Sequence, residues 1–345
     1  MKWMKLMLKE LGEIITGNTP SKQIEEFWNS EDICFIKPDV IADSGVNEIS
    51  ESNEYISEEA RKKARVVSKN AIFVTCIGSI GKIGIAMDGE YAFNQQINAI
   101  IPNEKIDSKY LAYNLLFNKQ RLIGMANAPV VPIINKSQFG EFTLNIEIDS
   151  DKQSEIVKVL DKLMDIIKHR ENELFALDAL IKARFVEMFG DIILNDKGWK
   201  TDTWSNALKI VNGKNQKAVE SDDGEYLICG SGGAMGRATE YLTNENSVII
   251  GRKGSINKPL LMREKYWNVD TAFGIEPNRK YINVDYLYMF CVFFNFEQLN
   301  KAVTIPSLTK ADLLNIEMPI PNILLQEQFA DFVHQVDKSK FMKSF

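Results

Sequence analysis

The chain has 345 residues, 45% of them hydrophobic and 26% charged, with 20 glycines, 10 prolines and a net charge of −6. That length exceeds one ordinary core, so two or more domains are expected, and the composition excludes a disordered, collagen-like or disulfide-framed chain. Apolar runs such as residues 290–294 fall far short of the roughly 18 residues of a membrane span, and Cys34, Cys76, Cys229 and Cys291 are scattered without a CxxC pair, which argues against a zinc site and fits a reducing cytoplasm.

The first ten residues break their apolar stretch with lysines and lead to no small-residue cleavage site, so they read as mature chain. A polar turn, Gly17-Asn18-Thr19-Pro20-Ser21-Lys22, follows an apolar segment, and Arg61, Lys62, Lys63 and Arg65 form a basic cluster. The β-type run 71–75 leads into the glycine turn Gly78-Ser79-Ile80-Gly81-Lys82. Asn94-Gln95-Gln96 then offers amides that can pair bidentately with an adenine edge, and residues 108–122 show a helical pattern.

Residues 150–190 differ in kind. Ile156, Leu160, Leu163, Ile167, Arg170, Leu174, Leu177 and Ile181 are spaced alternately four and three apart, the seam of a coiled coil interrupted once by Arg170. At 1.5 Å per residue this helix is a rod of roughly 60 Å. The next globular stretch, 191–322, brings Lys214, Gln216 and Lys217, then Gly230-Ser231-Gly232-Gly233, then Arg252, Lys253, Ser255 and Lys258, and a helical pattern over 284–300. A closing segment, 323–345, repeats the seam at Leu325, Phe329, Phe332 and Val336.

The two halves repeat. Gly78-Ser79-Ile80 is echoed 176 positions later by Gly254-Ser255-Ile256, and Tyr110-Leu111 by Tyr286-Leu287. Pro132 and Lys136 pair with Pro306 and Lys310 at 174, and Gln153 and Asp161 with Gln328 and Asp337 at 175 and 176. A nearly constant offset through several blocks indicates duplication. The expected class is therefore α/β or α+β. Two tandem globular domains, 1–149 and 191–322, would be joined by helices 150–190 and 323–345 running antiparallel as a coiled coil. Packing of each helix on its own domain is the plainer alternative.

Enzyme motifs are missing. The 78–82 turn continues into Ile83 where a phosphate-cradling loop needs Ser or Thr, and Met235 occupies the third glycine position of a dinucleotide fingerprint. His169 and His334 lie on the predicted helices, away from any ligand cluster. No Asn-Pro-Pro-aromatic or Asp-Pro-Pro-aromatic tetrapeptide marks a base methyltransferase. Residues 1–149, 150–190 and 191–345 carry −4, −1 and −1, so no region is basic as a whole. Each local basic cluster reads either as a solvated face or as a phosphate contact.

Leu11-Gly12-Glu13-Ile14-Ile15-Thr16-Gly17-Asn18-Thr19-Pro20-Ser21, Ile36-Lys37-Pro38-Asp39-Val40, the 78–82 turn with residues 94–98, and in the second half residues 212–219, 230–233, 251–256 and 268–274 together resemble the specificity subunits of Type I restriction-modification systems. Position 18 is Asn where that family often has a second glycine, and the closing helix is about half as long as the first. The resemblance implies a non-catalytic, cytoplasmic DNA-recognition subunit with two target recognition domains, each contacting half of a bipartite double-stranded site. The helices would set the gap and dock methyltransferase subunits, two of them, with restriction subunits added. S-adenosylmethionine, ATP and Mg would belong to those partners, and no metal or cofactor to this chain.

Candidate DNA contacts are Asn18, Thr19, Ser21, Lys22, Arg61, Lys62, Lys63, Arg65, Ser79, Lys82, Gln95 and Gln96 in the first half. In the second they are Lys214, Gln216, Lys217, Ser231, Arg252, Lys253, Ser255 and Lys258. Candidate docking residues are Ile156, Leu160, Leu163, Ile167, Leu174, Leu177, Ile181, Phe329, Phe332 and Val336. The seam at Leu174, Leu177 and Ile181 is expected to be exposed where the shorter helix leaves it uncovered. Two rival classes remain at this stage: a protein-binding scaffold and a nucleotide-using enzyme.

Overall fold

A computed structural model of the chain describes residues 2–126, 131–300 and 306–342. Packing divides the chain into two units, 1–169 and 170–345.

In the first unit the central sheet has five strands in the order Gly12–Thr16, Ile97–Pro102, Ile72–Thr75, Ile83–Ala86, Val46–Ile49. Its strands are rich in β-branched residues that bury both faces. Ile72, Val74 and Ile100 face a core shared with the helix Ser108–Phe117, while Phe73, Ile97 and Ala99 face a second core. Asp107 caps that helix by accepting from the amide of Tyr110 at 2.8 Å. The helical pattern read over 108–122 is two helices, because the backbone leaves the helical path at Asn118, which ends the first and precedes Lys119–Ile123. A smaller sheet, Tyr55–Ile56, Ile33–Ile36, Glu90–Phe93, Val66–Ser68, covers the second core. The strands Trp3–Met7 and Thr143–Glu147 pair with each other where the unit begins and ends.

The second unit repeats this plan. Its main sheet runs Leu208–Asn212, Ala272–Pro277, Ser247–Gly251, Leu260–Met262, the same order as the first four strands above. A three-stranded sheet, Gly233–Ala238, Tyr226–Gly230, Tyr266–Asn268, includes one parallel pair, as does the smaller sheet of the first unit. Helix Val284–Phe293 takes the place of Ser108–Phe117, and Thr201–Thr203 pairs with Glu317–Pro319.

The helix Ser150–Phe189 has 40 residues and contributes to both units. In the first, Ile156 packs on the core and Leu160 is half-buried, while Leu163 and Ile167 are exposed. In the second, the closing helix Ile323–Met342 lies against it. The Phe329 ring is 5.3 Å from Phe185, Arg184 lies 5.8 Å over Phe332, and Lys340 is 2.7 Å from Asp178. Numbers rise along one helix as they fall along the other, so these stretches are antiparallel.

Two expectations need correction. Of the seam thought to be uncovered, only Leu174 is exposed. Ile181 is buried and Leu177 packs on the same core, which includes Tyr286, Phe290, Phe329 and Val336 of their own unit. The partner of Gln153 is Gln326, not Gln328. Gln326 makes the bonds that Gln153 makes, which places the match at an offset of 173 and makes His334, not Asp337, the residue that corresponds to Asp161. Among the described residues no helix is long and apolar enough to cross a membrane, and no group of His, Cys, Asp and Glu is arranged to hold a metal.

Candidate nucleic-acid interface

In each unit three segments come together, a tight turn and two others that dock on it. In the first, the turn 93–97 holds the loop after the first sheet strand: Gly17 donates to the carbonyl of Ile97 at 3.1 Å and Asn18 to that of Phe93 at 2.9 Å. In the second, Gly213 donates to Ala272 at 3.1 Å and Lys214 to Asn268 at 3.0 Å. Glycine is required at both positions, since an added Cβ would come within 2.2 Å of the Asn94 oxygen or 1.8 Å of the Val269 oxygen.

The third segment is the glycine turn. Cys76 donates to Gln96 at 2.7 Å, and Arg252 donates to Thr271 at 2.8 Å. Gly78 and Gly254 then adopt φ of +75° and +74° and donate to Pro132 and Pro306 at 3.0 Å. The scaffold is the same, so its residues can be matched: Asn18 with Lys214, Cys76 with Arg252, Ile77 with Lys253, Lys82 with Lys258, Gln95 with Asp270.

The chemistry presented differs. In the first unit Thr19 donates its hydroxyl to the Gln95 amide oxygen at 2.9 Å, which orients an exposed amide at the tip of the turn. Gln96 is held by Asn94 at 2.9 Å, and the Asn18 amide donates to Lys63 at 2.6 Å. Ser21 and Ser79 are exposed. Several candidate cations are already engaged. Lys22 pairs with Glu54 at 2.7 Å and lies 4.2 Å over Trp28, Lys82 pairs with Asp43 at 3.0 Å, and Arg61 pairs with Glu90 and Glu58. Lys22, followed by Lys37, holds the Glu54 carboxyl below its ordinary range, and Glu90, followed by Glu58, holds the Arg61 guanidinium above its own. Lys62, Lys63 and Arg65 are exposed and form no ion pair among the described residues. Burial pushes the Cys76 thiol up to about 12, so the position matched to an arginine is neutral.

In the second unit Lys214, Lys217, Arg252, Lys253 and Lys258 are all exposed, and none forms an ion pair among the described residues. The Trp267 indole donates to the Lys214 carbonyl at 3.0 Å, fixing that loop, and Arg252 sits 5.7 Å over Phe273. Gln216 and Ser231 are half-buried, with Ser231 against Gly251, and Ser255 is exposed. The sequence reading missed Asp270, exposed at the tip where the first unit has Gln95. A carboxylate there can accept from a cytosine amino group.

Comparison with known proteins finds the same duplication of the chain. The family described as Type I restriction modification DNA specificity domain matches residues 1–176 and again 196–343. The chain is similar to the Type I restriction enzyme MjaIX specificity subunit of Methanocaldococcus jannaschii, 24% identical across 96% of this chain and 86% of that one. It is similar too to the Type I restriction enzyme EcoprrI specificity subunit of Escherichia coli, 23% identical across 96% and 87%. Its fold resembles that of a Type I restriction-modification S subunit from M. genitalium, with a TM-score of 0.59 at 16% identity over 99% of this chain and 91% of the other.

Proposed function

This chain belongs to the Type I restriction modification DNA specificity family, and on that premise we propose that each unit reads one half of a two-part double-stranded DNA site for a methyltransferase and endonuclease complex. The observation that carries the reading is the recurrence, on both units, of one polar surface built from the same three backbone segments. Duplicated readers suit a site whose halves are separated by a fixed number of base pairs.

In this reading the chain is non-catalytic. Phosphates are held by exposed cations such as Lys62, Lys63, Lys214, Lys253 and Lys258, which fix register without sequence information. Bases are read by the turn tips, Gln95 pairing with an adenine edge and Asp270 accepting from a cytosine. The helices Ser150–Phe189 and Ile323–Met342 act as spacers. The exposed apolar residues Leu163, Ile167 and Leu174 are the docking surface for methyltransferase subunits, two per complex, with restriction subunits beyond them. S-adenosylmethionine, ATP and Mg act on those partners.

The test is a genome-wide map of methylated adenines with and without this chain. Methylation at one two-part motif is expected to vanish when the chain is removed. An unchanged map would overturn the reading.

A further inference from the structure

We propose that Gln153 and Gln326 are positioning residues that fix the direction in which each spacer helix leaves its recognition unit, and thereby the gap between the two half-sites; this rests on the function proposed above. Both side chains are buried, at 1% and 0% exposure. Gln153 donates to the carbonyls of Glu147 at 2.7 Å and Lys105 at 3.3 Å, and accepts from the amide of Asp107 at 2.8 Å. Gln326 donates to Pro321 at 2.8 Å and Tyr281 at 2.9 Å, and accepts from Asn283 at 2.9 Å. One amide thus ties the spacer helix to a carbonyl at, or two residues past, the end of the last strand and to the turn that caps the body helix, in both copies.

The chemistry explains the choice. Three backbone groups converge, one donor and two acceptors, and a glutamine amide is complementary to all three. A leucine of similar size would leave them buried without partners. Apolar packing restricts the direction of a helix only to within about 15–20°, whereas hydrogen bonds are angular and narrow it further.

A rod held at one point can pivot, and each helix meets the body helix again eight residues further on, roughly 12 Å along its axis; in the second unit the acid it meets, Asp285, is paired chiefly with Arg263. In the first unit Asp161 accepts from Tyr113 at 2.6 Å and pairs with Lys109 at 3.3 Å. In the second, His334 lies 3.8 Å from Asp285. Lys109 and Asp285 are each the second residue of the body helix, so this outer contact is built from different groups in the two copies. The inner contact is the same amide in both. What the duplication has kept is the pin that sets direction.

The experiment assembles the full chain with its methyltransferase subunit and measures methylation of DNAs that carry the native half-sites at gaps one base pair shorter, native and one longer. For Gln326→Leu, methylation at the neighbouring gaps relative to the native one should rise about tenfold, with half-site preference unchanged. A uniform fall at all gaps, as a merely destabilised unit would give, overturns the proposal. Lys109→Met and Asp161→Ala remove outer-contact bonds at partly exposed positions without touching the core, and are expected to widen the gap profile about threefold. An unchanged profile in them, with Gln326→Leu unable to fold, also overturns it. A wild-type complex that methylates no two-part site would instead refute the underlying function.

Discussion

The turn at 93–97 and the turn at 268–272 are held by corresponding backbone hydrogen bonds and present different chemistry. Around the first, Lys22, Arg61 and Lys82 are neutralised by acids of the same unit, and the position matched to Arg252 is a buried thiol. Around the second, five cations stand exposed without an ion pair among the described residues. The comparison teaches where a duplicated scaffold is constrained. Backbone groups that must be satisfied, and glycines that a Cβ would jam, are retained, while the outward side chains are free to diverge.

The largest effect expected is from the glycines that seat the polar loops. Gly213→Val should cost on the order of 3 kcal/mol by forcing the loop off the turn, and Gly17→Ala somewhat less, both read by chemical unfolding. Near-neutral outcomes would mean that the loops are not docked as described. Next come the turn tips. Gln95→Ala and Asp270→Asn should each change preference at one base position, by about 1–3 kcal/mol, in different halves of the site.

The phosphate contacts are smaller and sharpen the comparison directly. In the assembled complex, Lys214→Ala and Lys253→Ala should each lower the slope of log affinity against log salt by about 1, equally for all sequences. Lys22→Met should leave the slope unchanged because its charge is already paired with Glu54. An equal drop for Lys22→Met would erase the difference between the units. The smallest effect concerns acid stability. The folded Glu54 titrates below its unfolded value, so its contribution is full above about pH 4.3 and is lost as pH falls through the depressed value. Glu54→Gln should flatten that part of the stability profile.

Much of the fold was legible in the sequence, because Gly78-Ser79-Ile80 and Gly254-Ser255-Ile256 require the same left-handed glycine and recur at a constant offset. The seam spacing located the long helix, but not what covers it. Leu177 and Ile181 meet their own unit, and periodicity cannot tell a partner helix from a domain face. The match of Gln153 is Gln326 and not Gln328 because the segment between the bonded carbonyl and the glutamine is one residue shorter in the second unit, Pro321 to Gln326 against Glu147 to Gln153, with another glutamine nearby. Which candidate cations are free was not legible either. Lys22 and Glu54 are 32 positions apart and Arg61 and Glu90 are 29 apart, pairings that only the tertiary fold creates.

The central claim is that the two units read separate halves of one site. It is tested most directly by selecting DNA from a randomised pool with the assembled complex, comparing the wild-type chain with Gln95→Ala. A change of base preference confined to one half, with the other half and the gap intact, is the predicted result. Altered preference in both halves together would contradict it.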